Sequence, residues 1–176
     1  MSKGGSFEIK VARMFTKWVT DKEKPEILWR SVSLGPKATI DRRKGGTIRK
    51  IGDLIAIDPL GQWLEDAFLF ECKHHKKAKL TDLLKSKSTT DKSNVLNWWN
   101  KCQQEAKEGD KIPFLIFRAN NQTTMVMTYE FVSFKRVMPL LFWYITPKYS
   151  ATIFPLIDFF QYYKAEQIKQ IVSPIG

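Results

Sequence analysis

The chain is poor in the residues that build redox scaffolds and nitrogen–sulfur metal sites. It has two cysteines, Cys72 and Cys102, which form no CxxC pair, and two histidines, His74 and His75, with no further Cys/His cluster around them. A disulfide framework and a clustered Cys/His metal site are thereby excluded, a single disulfide is left open, and a reducing cytoplasmic setting is expected. Long apolar runs are also missing. The N-terminus, MSKGGSFEIKVAR, places charges where an export signal needs an unbroken apolar stretch, so the protein is expected to stay inside its cell. Residues 138–163 are apolar and aromatic, but Pro139, Pro147, Lys148, Pro155 and Asp158 interrupt them before any stretch reaches the ~20 residues that span a bilayer. They read as core or subunit interface, not as a membrane anchor.

Acidic residues are the other deficit. Eighteen Asp+Glu stand against 29 Lys+Arg, a net charge of +11. Such an excess favours a polyanionic partner through long-range attraction and counterion release, with nucleic acid ahead of an anionic membrane surface. The excess is uneven: residues 30–92 hold 14 Lys+Arg and 8 Asp+Glu. What the chain does have is apolar mass, 43% hydrophobic and 13% aromatic over 176 residues, enough for one domain with a real core. It contains no internal repeat and no low-complexity segment.

Phe7, Val11, Met14, Phe15 and Trp18 recur at helical spacing and predict an amphipathic helix over residues 6–20, with Lys10, Arg13 and Lys17 on the opposite side. Glu8 falls inside the apolar arc, where a solvated glutamate has no reason to be. Residues 27–34 read as a strand, and residues 35–50 as a basic, glycine-containing loop carrying Lys37, Arg42, Arg43, Lys44, Arg49 and Lys50. Residues 53–58 (DLIAID) and 63–73 read as two strands of a hairpin that turns at residues 59–62 (PLGQ). A helix-prone piece at 80–87 follows. Then comes a second amphipathic helix with Val95, Trp98, Trp99, Cys102 and Ala106 on one face and a stop at Gly109. Residues 113–118 and 124–131 read as further strands joined by a turn at Asn120 and Asn121.

Side chains alternate faces along a strand, so Glu71 and Lys73 project together while Phe70 and Cys72 project to the other side. The predicted hairpin would bring Asp53 beside Glu71, so that two carboxylates converge next to a lysine. Phosphodiester hydrolysis needs such a set: oxygen ligands hold Mg²⁺, which activates water and neutralises charge developing on the phosphate. In this reading Asp53, Glu71 and the Cys72 carbonyl are metal ligands. Lys73 holds the attacking water or stabilises the phosphate, and an inward Glu8 adds a carboxylate directly or through water.

The order of these pieces resembles the PD-(D/E)XK nuclease superfamily, and within it the Holliday-junction-resolvase-like and phage-encoded members. The matching pieces are GSFE (Gly5 to Glu8) opening a helix, a basic loop, GD (Gly52, Asp53), ECK (Glu71 to Lys73), and a Trp- and Gln-containing helix. The match covers roughly residues 5–118, and no proline precedes Asp53. The resemblance implies an α/β fold with a restriction-endonuclease-like core, a central mixed β-sheet flanked by helices. It implies Asp53 and Glu71 on a metal, Lys73 as catalytic helper, Glu8 as the helix-1 acid, and Gln103 as the glutamine near the site.

Blander roles compete for several of these residues. An isolated Glu-x-Lys pair on a strand is usually a surface charge pair; the added Asp53, Glu8 and flanking positive charge favour a nuclease site. Asp58, beside Pro59, reads as a turn initiator. Trp98 and Trp99 read as core. Arg42, Arg43, Lys44, Arg49, Lys50, Lys76, Lys77 and Lys79 read as phosphate contacts, with His75 DNA-facing or solvated.

The function expected is that of an Mg²⁺-dependent DNA endonuclease, with Mn²⁺ able to replace Mg²⁺, acting on branched or duplex DNA in recombination or repair. The alternatives are a restriction-type endonuclease and a non-catalytic basic DNA-binding module. One domain over 1–176 is expected, with its motif-bearing core at about 5–131. The aromatic segment 138–176 should pack on that core or form a homodimer interface. The location expected is the cytoplasm, that of the host if the chain is phage-encoded.

Overall fold

In the computed structural model, which describes residues 3–22, 25–31, 52–76, 78–81, 95–129, 142–145 and 150–173, the N-terminal apolar stripe becomes one face of helix α1 (Lys3–Thr20). Phe7, Val11, Ala12 and Phe15 are buried, while Lys10, Arg13 and Lys17 are exposed. Strand β1 (Leu28–Arg30) pairs antiparallel with β2 (Leu54–Ala56), Leu28 opposite Ala56 and Arg30 opposite Leu54. Of the strand expected over 27–34, Ile27 and Ser31 flank β1, and residues 32–34 lie outside the described residues, as does the basic loop at 35–50.

Helix α2 (Pro59–Ala67) then runs directly into β3 (Phe68–His74), followed by α3 (Val95–Glu108), β4 (Ile112–Arg118) and β5 (Met125–Thr128). Strands β6 (Phe142–Ile145) and β7 (Ser150–Pro155) and helices α4 (Leu156–Tyr162) and α5 (Ala165–Val172) complete the chain. The main sheet has five strands in the order β3-β4-β5-β7-β6; β3 and β4 are parallel and the remaining pairs antiparallel. A parallel pair needs a crossover, and α3 supplies it. This is the α/β architecture expected, a mixed central sheet with helices on both faces.

Each face of the sheet has its own core. Phe68, Phe70, Cys72, Phe114, Ile116, Val126 and Phe154 meet α1 and α4 through Phe7, Phe15 and Phe159. Phe15 stands 4.9 Å from Phe70, ring centre to ring centre, and Phe159 stands 5.7 Å from Phe114. The opposite face carries Leu69, Leu115, Phe117, Met125, Met127 and Ile153 against Val95, Trp98, Trp99, Cys102 and Ala106 of α3. Both tryptophans are therefore core, as their spacing predicts. At ~1.5–3 kcal/mol for each large apolar side chain removed from water, these two layers hold β3 and β4 in place.

Two expectations need correction. Residues 59–62 do not turn a hairpin, and β2 is not the partner of β3. Asp58 caps α2, its Oδ1 accepting from the Leu60 N–H at 2.9 Å, and Pro59 occupies the first turn, where its missing N–H costs nothing. Asp58 is thus a helix cap rather than a turn initiator. The apolar content of residues 150–163 is also largely taken up inside the chain: β7 lies between β5 and β6, and Leu156, Phe159 and Tyr163 are buried.

Helix α2 presses hard on β1. A Cβ added at Gly61 would stand 2.5 Å from the Ile27 carbonyl oxygen, a backbone atom that cannot step aside. Gly→Ala inside a helix gains up to ~1 kcal/mol from propensity, whereas overpacking costs about 1–3 kcal/mol. Gly61→Ala is therefore expected to lower stability in urea denaturation. A stabilised variant would show that α2 is free to shift.

Candidate active site

β3 is the last strand of its sheet among the described residues, so one edge of it is left for other partners. In a strand, the N–H and C=O of one residue lie on the same side, and those of its neighbours on the other. Phe70 and Cys72 turn theirs outward, and residues 52–53 take them up. The Asp53 N–H donates to the Phe70 carbonyl at 2.7 Å, and the Cys72 N–H donates to Asp53 Oδ2 at 2.7 Å. From the β1 side, the Ser31 N–H donates to the Asp53 carbonyl at 2.7 Å. Gly52 makes this approach feasible: its φ is +98°, and a Cβ there would meet the Phe70 carbonyl oxygen at 3.0 Å.

The side-chain alternation expected for β3 holds. Leu69 lies in the α3-side core and Phe70 and Cys72 in the α1-side core, so Glu71 and Lys73 share the α3 side. Glu71 is only 2% exposed, and Lys73 Nζ forms an ion pair with its Oε1 while standing 3.8 Å from Asp53 Oδ2. Two carboxylates and a lysine thus meet at the sheet edge, although the connection between them is a helix and not the expected hairpin.

Charge sets the chemistry of this cluster. Burial and the adjacent Glu71 carboxylate push the Asp53 carboxyl up to about 6; Lys73 and the Cys72 N–H pull the other way without cancelling that rise. Burial would lower the Lys73 ammonium, but the fields of Glu71 and Asp53 outweigh it, and Lys73 is held protonated above its usual range. The Cys72 thiol is driven well up by burial and by the two carboxylates, so it stays neutral. Its carbonyl, on the same side of β3 as the N–H that binds Asp53, is the donor it can offer a cation.

Carboxylate and carbonyl oxygens are the hard donors that Mg²⁺ takes, commonly with one or two carboxylates and the remaining positions filled by water and phosphate oxygens. The raised Asp53 fits that use, since burial and the adjacent Glu71 oppose its ionisation and a bound cation would favour it. Among the described residues no group of three or more His, Cys, Asp or Glu is arranged to hold one ion. Glu8 accordingly does not complete a three-acid shell. It is turned inward, 19% exposed, and pairs with Arg30, Oε2 to Nε 3.7 Å; it lies near enough to add to the field on Asp53.

Other expected site residues lie further out. Gln103 Nε2 donates to the Tyr129 hydroxyl at 2.7 Å, away from the carboxylates. The α3 side chain that reaches them is Lys101, 56% exposed, with Nζ 3.3 Å from Glu71 Oε1 and 3.6 Å from Glu105 Oε1. Lys101 and Gln103 flank the apolar face of α3 on opposite margins, and only the packing of α3 shows which margin meets β3. Arg30, the other cation missed, has its Nε buried without a hydrogen bond and Glu8 as its ionic partner. The His75 ring lies 6.4 Å from Trp98, and His74 bonds Asn120 Oδ1 at 3.1 Å. Lys76 and Lys79 are exposed; Arg42, Arg43, Lys44, Arg49, Lys50 and Lys77 lie outside the described residues.

Comparison with known proteins gives one match. A family described as "Phage putative PDDEXK endonuclease" matches residues 1–170. No curated protein and no solved structure matches the chain.

The strained carboxylate has a measurable consequence in metal-free protein. An acid whose folded pKa is about 6 against an ordinary 3.8 gives stability that is present below pH 4 and lost as pH rises through 6, because the unfolded chain releases the proton first. The loss is up to about 3 kcal/mol at ~1.4 kcal/mol per pH unit. Asp53→Asn keeps an oxygen for the Cys72 N–H and removes the charge. In EDTA it should exceed the parent in urea stability at pH 8 and match it near pH 4. Equal stability at both pH values would contradict the raised pKa.

Proposed function

The chain belongs to this phage PDDEXK endonuclease family, and on that premise we propose that it hydrolyses DNA phosphodiester bonds with Mg²⁺ held by Asp53, Glu71 and the Cys72 carbonyl. The observation that supports the reading most is the convergence at the β3 edge. Two carboxylates of different chain segments share one lysine, and one of them is pushed up to about 6. When bound there, Mg²⁺, or Mn²⁺ in its place, would acidify water and withdraw charge from the phosphate.

The chain's own residues do the rest. Lys73, kept protonated by the two acids, holds the attacking water or meets the phosphate as its charge grows. Lys101 leans on the same Glu71 oxygen from α3 and is exposed, so it can turn to a phosphate once a cation takes that oxygen. Glu8 fixes Arg30 beside the site and contributes to the shell through water. Lys76, Lys79 and His75, just past the end of β3, are on hand for flanking phosphates, together with Arg42, Arg43, Lys44, Arg49, Lys50 and Lys77.

We place the activity in phage recombination or repair in the host cytoplasm, on branched DNA of the Holliday-junction type. Two coordinated cuts in a junction need two sites, so this reading carries a homodimer with it. Among the described residues, no helix is long and apolar enough to cross a membrane.

The test is cleavage of linear, branched and single-stranded DNA in Mg²⁺ and in EDTA. The parent should cut only with Mg²⁺. Glu71→Ala is expected to lose at least ~10³-fold in kcat, Lys73→Ala about 10²–10⁴-fold, and Lys101→Ala about tenfold. Branched-only cutting favours the resolvase, and fixed fragments from linear duplex favour a restriction-type enzyme. The absence of Mg²⁺-dependent cutting of any substrate would leave the non-catalytic DNA-binding module.

A further inference from the structure

Beside the Glu8–Arg30 pair, helix α1 and strand β1 enclose a groove of about 600 Å³ that the catalytic reading does not use. Its lining is Ser6, Ile9, Lys10, Arg13, Met14, Lys17 and Trp29. Lys10, Arg13 and Lys17 are exposed and follow one another at helical spacing, covering ~10 Å of α1. Ile9, Met14 and Trp29 are half-buried beneath them. Three cations thus stand over an apolar, partly aromatic floor.

A solvated basic helix face needs no such floor, and an apolar patch awaiting a core partner would not carry a cationic rim. The combination fits a nucleic-acid strand, whose phosphates meet the cations while an unstacked base lies on the aromatic ring. Duplex DNA satisfies the rim alone, since its bases are stacked away from the floor. Along the chain the groove residues adjoin the Glu8–Arg30 pair. Ile9 follows Glu8, Trp29 precedes Arg30, and Arg30 pairs with Glu8, whose field reaches Asp53. Arg13 pairs with Glu26 at 3.5 Å, but a guanidinium has five donors and can serve a phosphate as well.

We infer that the α1/β1 groove binds a single-stranded segment of DNA, with phosphates on Lys10, Arg13 and Lys17 and a base on Trp29. The inference rests on the nuclease reading for its ligand and not for its test, which needs no catalysis.

In EDTA, binding of a labelled oligothymidylate and of a blunt duplex is followed by fluorescence anisotropy over a range of salt. The proteins are the parent, the double variant Lys10→Glu/Lys17→Glu, and Trp29→Leu, which keeps apolar bulk in the floor; thermal melting checks that each variant folds. The double variant should bind the single strand at least tenfold more weakly, with a salt slope lower by about 1.4, corresponding to two phosphate contacts at ~0.7 each. Trp29→Leu should weaken single-strand binding about fivefold or more and leave duplex binding nearly unchanged.

Unchanged single-strand binding by the folded double variant overturns the inference. So does an equal effect of Trp29→Leu on both ligands, or a dimer of the parent that Trp29→Leu dissociates in the absence of DNA. A parent that cuts nothing yet shows the predicted binding pattern would remove the nuclease reading and leave the groove assignment standing. A parent that cuts DNA while the double variant binds like it would do the reverse.

Discussion

The docking of residues 52–53 on the free edge of β3 is the constraint on which the candidate site depends. Two backbone-directed hydrogen bonds, Asp53 N–H to the Phe70 carbonyl and Cys72 N–H to Asp53 Oδ2, fix both where Asp53 stands and where one of its oxygens points. The edge is available because β3 ends the sheet among the described residues, and it is held in place because apolar and aromatic layers cover β3 from both faces. Gly52 lets the backbone come this close. Without this edge contact, Glu71 and Lys73 would be one charge pair on a strand, a common and chemically idle arrangement.

Once Asp53 is in place, electrostatics does the rest. Glu71 is almost fully covered and Asp53 partly so, and burial together with the Glu71 carboxylate makes ionisation of Asp53 harder. The cost is shared out among cations from three elements: Lys73 on β3, Lys101 on α3 and, through Glu8, Arg30 on β1. Two covered carboxylates whose cationic partners are partly exposed still favour a divalent cation, since the ion concentrates two charges at oxygen contact. Under the nuclease reading, exposed lysines such as Lys76 and Lys79 would then meet a substrate that is itself an anion. The groove beside Glu8 and Arg30 extends that logic along α1.

Much of this was legible in the residues. The 3.6-residue stripe of α1 and the inward position of Glu8, the shared face of Glu71 and Lys73, and the tryptophan face of α3 all follow from local periodicity, and the structure reproduces each. The hairpin was misread because residues 63–73 are apolar enough to pass as one strand. The Asp58–Pro59 pair is a helix start, and Leu64 and Glu65 sit one helical turn beyond Gly61 on the buried side of α2. That Lys101 lies against Glu71 while the expected Gln103 bonds Tyr129 has a different reason. Both lie on margins of the same helix face, and the sequence contains nothing that says which margin meets β3.

What the sequence by itself determined is therefore the set of groups and the faces they project from, because a strand alternates and a helix turns with fixed periods. What only the tertiary structure decided is their meeting. Among the described residues the sheet order left one edge of β3 to residues 52–53, α2 returned the chain so that Asp53 could meet it, and the crossover through α3 aimed Lys101 at Glu71. Such contacts depend on how elements many residues apart pack against one another, and local periodicity carries no information about that.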